Sequence, residues 1–154
     1  MNKLANIMLT LAIFLFLTSV EYVAQNSTES NIKSALSNLL TYSKTKNYDK
    51  AANLIAYNGD NTKRIDKDSF NPANKDELNQ VKRICKKISA LLELSSSHEF
   101  GEFKTLDEKG KEEFTLKVTF VSGDQKLVTS FSFIKTDKGF LLNNMNYNYR
   151  ICSN

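Results

Sequence analysis

The spacing of apolar residues changes once along this chain, and that change limits what it can build. In the helical stretches from Ile32 to Leu92 apolar side chains recur every three or four positions, and after "SSSH" at Ser95–His98 they alternate. The first spacing covers one stripe of a helix, and the second covers one face of a strand. A chain that switches once in this way makes helices first and strands afterwards, an α+β order.

Three helices are expected. Ile32, Ala35, Leu36, Leu39 and Leu40 mark the first, with Ser30 as its N-cap. "TKN" at Thr45–Asn47 interrupts the pattern. "YDKAANLIAY" resumes it, with Tyr48, Ala51, Ala52 and Ile55 on one side, until "NGD" at Asn58–Asp60 ends the second helix. Asn61 to Ala73 is polar and loop-like, pinned by Ile65 and Phe70. Asn74 followed by Glu77 imitates a capping box. Leu78, Val81, Cys85, Ile88 and Leu92 then draw the stripe of a third helix.

Four strands come after the helices. Phe100–Leu106 is the first, with a bulge at Gly101. After the turn "DEKGK", Phe114, Leu116, Val118 and Phe120 alternate with Thr115, Lys117 and Thr119. Beyond "SGD", Leu127, Thr129, Phe131 and Phe133 form the next apolar face. "TDKG" at Thr136–Gly139 fits a short hairpin loop. The last strand runs from Phe140 towards Ile151. In it Leu141, Met145, Tyr147, Tyr149 and Ile151 share one parity, and Asn144, Asn146, Asn148 and Arg150 share the other. This alternation outweighs the poor strand propensity of asparagine. Asn143 falls on the apolar side. Either a bulge at Asn143–Asn144 turns it outward, or its amide points into a pocket.

The N-terminus reads as an address. Lys3 precedes an apolar run of 14 residues, Ile7 to Val20, and Ala24 offers a small residue for cleavage before Gln25. That is the layout of a secretory signal peptide. The run is short of the roughly 20 residues needed to cross a bilayer. The expectation is therefore a signal peptide over residues 1–24 and one domain over 25–154, exported to the periplasm or the extracellular space. The alternative is an uncleaved anchor, which would be the chain's one membrane contact. A net charge of +4 suits solubility and says little about partners. Cys85 and Cys152 are the two cysteines. In an oxidising compartment an even pair invites a disulfide. Cys152 shares parity with the outward asparagines while Cys85 faces inward, so two separate thiols stay open as the alternative.

"SALSNLLTYSKTKNYDKAANLIA", two helices meeting at a short polar joint, resembles the opening of the nuclear transport factor 2-like superfamily, closest to its small exported bacterial members of unassigned function. The resemblance spans Ser30 to Ile151. It implies N-terminal helices packed in a curved, cone-like, four-stranded antiparallel sheet, with a cystatin-like arrangement as the alternative. The superfamily often adds a strand between helices two and three. Asn61–Ala73, polar and containing Pro72, offers none, which leaves the cone open on that side. The resemblance further implies that any catalysis would use carboxylates, histidines or tyrosines inside the cone.

That chemistry is sparse. His98 is the one histidine, so no multi-histidine metal site can be built, and no Ser–His–Asp triad anywhere but at His98. At a helix-to-strand junction beside three serines it reads as a helix C-terminal charge or an exposed turn residue. Asp107, Glu108, Glu112, Glu113, Asp124 and Asp137 lie in or beside turns, off the apolar faces where burial raises a pKa. Asp66, Asp68 and Glu77 match three positions of a calcium loop, but Phe70 and Asn71 stand where an oxygen ligand and a glycine belong. No cofactor is expected. Lys82, Arg83, Lys86 and Lys87 form a solvated face or a patch for an anionic lipid, glycan or partner. Without interleaved aromatics they do not suit single-stranded nucleic acid.

The candidates to line the cone are Tyr48, Phe114, Phe131, Asn143, Met145 and Tyr147. They would suit a small, mostly apolar ligand with a polar end, or else simply fill the core. The functional expectation is an exported, non-enzymatic domain that binds a small ligand or a protein partner. An isomerase- or cyclase-type enzyme and a dimerising interaction module are the alternatives.

Overall fold

The computed structural model describes residues 26–108 and 111–148. The chain divides into two units, Met1–Asn31 and Ile32–Asn154. In the first, residues 26–31 are helical, which puts Ser30 within a helix instead of at its cap. The expected signal peptide lies outside the described residues, as do Tyr149, Arg150, Ile151 and Cys152. The second unit holds the whole sheet and the hydrophobic core.

Helix α1 covers residues 32–44. It buries Ile32, Leu36, Leu39 and Leu40, the expected stripe. The amide of Asn47 donates to Tyr42 O (2.9 Å) and that of Lys46 to Ser43 O (3.3 Å). These two bonds make a Schellman ending, with Lys46 at φ 57° in the left-handed position that glycine usually holds. Asn47 then caps helix α2, Tyr48–Ala52, its side chain accepting from Lys50 N at 3.3 Å. "TKN" breaks the pattern because it ends one helix and starts the next.

Helix α2 stops earlier than the spacing predicts. Ile55 and Ala56 leave it to meet the last strand, where Leu142 N donates to Leu54 O (2.8 Å) and Ala56 N donates to Leu142 O (2.8 Å). Ile55 and Leu142 form a parallel bridge, and Ala56 pairs with Ser69. An edge strand needs partners for its outer amides. At Leu142, Leu54 O and Ala56 N supply them. As expected, Asn61–Ala73 adds no strand to the sheet, and residues 54–56 meet its edge at the single position Leu142.

The loop that returns to helix α3, Lys75–Leu94, is held by one arginine. Arg64 Nη1 and Nη2 donate to Glu77 Oε1 and Oε2 (2.8 and 3.1 Å), and Nη2 also donates to Ser69 O (2.9 Å). The guanidinium carbon lies 4.0 Å from the centre of the Tyr57 ring. Asn74 caps α3 as expected, its Oδ1 accepting from Asp76 N and Glu77 N. Glu77 does not complete a capping box. It accepts instead from Asn71 N at 2.7 Å and from Arg64. Asp66 pairs with Lys111, and Asp68 with Lys138 and Arg64. All three acids of the calcium-loop match are thus bound to cations of the chain itself. Val81, Cys85, Ile88 and Leu91 are the buried apolar residues of α3, which packs on α2 and on strand β2.

The sheet is an antiparallel meander of β1 (Ser97–Glu108), β2 (Lys111–Ser122), β3 (Gln125–Thr136) and β4 (Gly139–Asn148) in sequential order. This is the expected α+β arrangement. Strand β1 begins at Ser97 because Ser96 N already donates to Val121 O (2.8 Å). Its register shifts between Phe100 and Phe103, at the expected Gly101. Gly139, at φ 107°, closes the last hairpin. Leu116, Val118, Phe131, Phe133 and Leu142 join Ile32, Leu36, Leu39 and Ile88 in one core. In β4, Ser132 faces Asn144 and Phe133 faces Leu142, so Asn143 is the extra residue of a bulge and is exposed. The bulge also switches parity. Leu142, and not Leu141, is the core-cluster residue that precedes Met145 and Tyr147.

Candidate functional site

The inner face of the sheet brings three of the six expected lining residues together. Phe131 pairs with Met145, and one rung away Thr129 pairs with Tyr147. Phe131 is fully buried, while Met145 and Tyr147 are half-buried against the core. Phe114 belongs to a separate ring cluster, 6.4 Å from Phe103 and 5.4 Å from Phe140 between centroids. Tyr48 lies on α2 and lines the helix side. Asn143 faces solvent.

Thr129 is the residue that the alternation pattern concealed. It sits between Phe131 and Leu127 in the spacing of an apolar face. Its side chain is 0% exposed, and its Oγ1 has no hydrogen-bond partner. Leaving a buried hydroxyl unpaired costs about 1–3 kcal/mol. Valine would fill the same volume without that cost. A hydroxyl among Leu and Phe positions was the available signal.

The helix side carries two adjoining depressions. One, of about 280 Å³, lies between the α1–α2 joint and α3, with Ser43, Lys46, Tyr48, Cys85 and Lys86 in its walls. The other, of about 510 Å³, shares Lys46 and Tyr48 and adds Asn47 and Lys82. Lys82 Nζ lies 5.9 Å from the centre of the Tyr48 ring. Arg83, Lys86 and Lys87 are exposed on α3. Cys85 is fully buried. Burial pushes its pKa up, and the neighbouring Ser43 hydroxyl offsets this only in part. The thiol therefore stays protonated at neutral pH, which makes it a poor nucleophile. Its expected partner Cys152 lies outside the described residues.

His98 is a strand residue, not a turn residue. It pairs with Phe120, is exposed, and lies 5.9 and 6.1 Å from the rings of Phe120 and Phe100. A third depression of about 400 Å³ places it with Lys44, Leu92 and Ser95. Sequence reasoning also missed the pairing of Arg64 with Glu77. Hydrogen bonds from Arg64, opposed by burial and joined by Asn71 N–H, hold the Glu77 carboxyl below the usual glutamate range. Among the described residues no group of three or more His, Cys, Asp or Glu could hold a metal ion. No described helix is long and apolar enough to cross a membrane.

An α+β domain with an open antiparallel meander is the class these elements define. No family model and no curated protein matches the chain. Two solved structures are similar to it. One is a protein named Rd1NTF2_05 carrying five substitutions, 16% identical, with a TM-score of 0.47 over 80% of this chain and 99% of that chain. The other is an NTF2-like protein with a cystatin-like fold from Novosphingobium aromaticivorans, 9% identical, with a TM-score of 0.46 over 83% of this chain and 85% of that chain. No residue role is carried over from either.

Proposed function

We propose that the chain is an exported, non-enzymatic domain that takes a small, mostly apolar molecule with one polar end against the inner sheet face. The orphaned Thr129 hydroxyl carries this reading. It lies beside Tyr147 and one rung from Phe131 and Met145, so an apolar body and one hydrogen-bonding tip would match what this face lacks. The half-buried Met145 adds an adaptable thioether. Export rests on the apolar run Ile7–Val20 that precedes Ala24.

Two observations favour binding over the alternatives. The buried carboxylate of α3, Glu77, is fixed in its ionised form by Arg64, which disables it as a general acid at neutral pH. The exposed large apolar side chains among the described residues are Leu94 and Leu106, and the outer sheet face carries Thr115, Ser132, Asn144 and Asn146. A dimer built on an apolar sheet face has little to use there. Native mass spectrometry of protein isolated from its own host tests the proposal. A reproducible bound mass of a few hundred daltons supports it, and consistently empty protein contradicts it.

A further inference from the structure

The helix-side depressions hold chemistry that the inner-face proposal leaves unused. Ser43 is 1% exposed and lines the smaller depression. Its Oγ has no nitrogen or oxygen partner, only the weakly accepting Cys85 thiol beside it. Lys46, from the α1–α2 joint, lines both depressions, and from α3 Lys86 lines the smaller one and Lys82 the larger. Among the described residues none of these three amines has a salt-bridge partner. Two carboxylates also line the paired depressions. Glu93 accepts from Ser89 Oγ at 2.9 Å, and Asp49 lies in the first turn of α2. Tyr48 forms a wall common to both depressions.

We infer that this paired depression is a second binding site, for a small oxyanion-bearing molecule with a flat ring. The oxyanion would take Lys46 and Lys86 as cations and the Ser43 hydroxyl as a donor, which replaces the weak contact of Ser43 with the Cys85 thiol by an oxygen partner. The ring would lie on Tyr48, in the larger depression beside Lys82. A carboxylate and a phosphate monoester share this chemistry. Arginine is absent from the walls, so recognition works through point charges and not through a bidentate fork.

The site is distinct from the inner face because it is built from α1, the α1–α2 joint, α2 and α3, and includes no strand residue. Its most telling variant is Lys46→Gly. Lys46 holds a left-handed conformation that glycine adopts freely, so this change removes an amine without disturbing the joint. A fall in affinity with that variant therefore reports the amine and not unfolding.

The test is an NMR or calorimetric titration of the purified protein at neutral pH with benzoate, phenyl phosphate and, as the neutral control, benzyl alcohol. Saturable binding of one or both anions is expected, with amide shifts centred on Ser43, Lys46, Tyr48 and Lys86, and none with benzyl alcohol. Lys46→Gly and Lys86→Gln should each weaken it about tenfold, the scale of one charge-assisted hydrogen bond, and Lys126→Gln on β3 should leave it unchanged. Preference for benzoate or for phenyl phosphate tells carboxylate from phosphate ligands. Unsaturable shifts spread over all lysines, equal binding of benzyl alcohol, or full affinity in both variants would overturn the inference.

Discussion

Arg64 grips Glu77 with both arms of its guanidinium, at 2.8 and 3.1 Å, across 13 residues of chain. The pair closes the loop between α2 and α3 and stacks it on Tyr57. The Glu77 side chain is only 10% exposed, so removing Arg64 leaves a carboxylate in poor contact with water. Arg64→Met should cost roughly 2–3 kcal/mol in chemical denaturation, a little under the range for fully buried pairs. A loss below about 0.5 kcal/mol, the scale of an exposed pair, would contradict this account of the loop.

The same pair sets an acid limit. Glu77 is held below its unfolded value of about 4.3, so its contribution is present above that pH and is lost as pH falls through the folded value. Arg64 is raised, so its contribution is intact throughout the acid range. The stability gap between wild type and Arg64→Met should therefore be constant from pH 7 to about 5 and should narrow below about 4. A gap of equal size at pH 3 and pH 7 would show that the ion pair is not its source.

Much of this was visible in the residues, and the exceptions have physical causes. Asn74 and the stripe Val81, Cys85, Ile88 foretold α3, because a cap and a 3.6-residue period act locally. The alternation of β2 and β3 foretold their faces. Ile55 and Ala56 misled, because two apolar residues after Ala51 and Ala52 look the same whether the helix continues or the chain bridges to Leu142. Only the distant strand edge decides that. Arg64 and Glu77 were likewise out of reach, since no period links a loop arginine to a helix carboxylate. At the candidate site Phe131, Met145 and Tyr147 were legible from parity. Thr129 was not, because it satisfies the same parity as its apolar neighbours.

Cys85 should resist modification. Its thiol is fully buried and its pKa is raised. Folded protein at pH 8 should react with a maleimide at least a hundredfold more slowly than unfolded protein, and a rate within about tenfold would contradict that burial. The pairing with Cys152 is decided in the same experiment. Unfolded without reductant, a bridged chain takes up no reagent, and two equivalents would exclude the bridge.

His98→Ala should leave any ligand binding within about twofold of wild type and cost under about 1 kcal/mol, because the ring is exposed and meets only Phe100 edge-on and Phe120 at a tilt. Binding and stability measured side by side check this. A hundredfold loss of binding at unchanged stability would assign His98 a role that the inner-face account does not give it.

The most direct test of the inner-face proposal is Thr129→Val, isolated from the native host beside wild type and compared by native mass spectrometry and thermal denaturation. The substitution keeps the shape and removes the orphaned hydroxyl. The account predicts that wild type carries a bound mass, that the variant loses it or holds it at least tenfold more weakly, and that the empty variant is about 1 kcal/mol more stable than empty wild type. Equal ligand occupancy in both proteins would contradict the claim that Thr129 receives the polar end of a ligand.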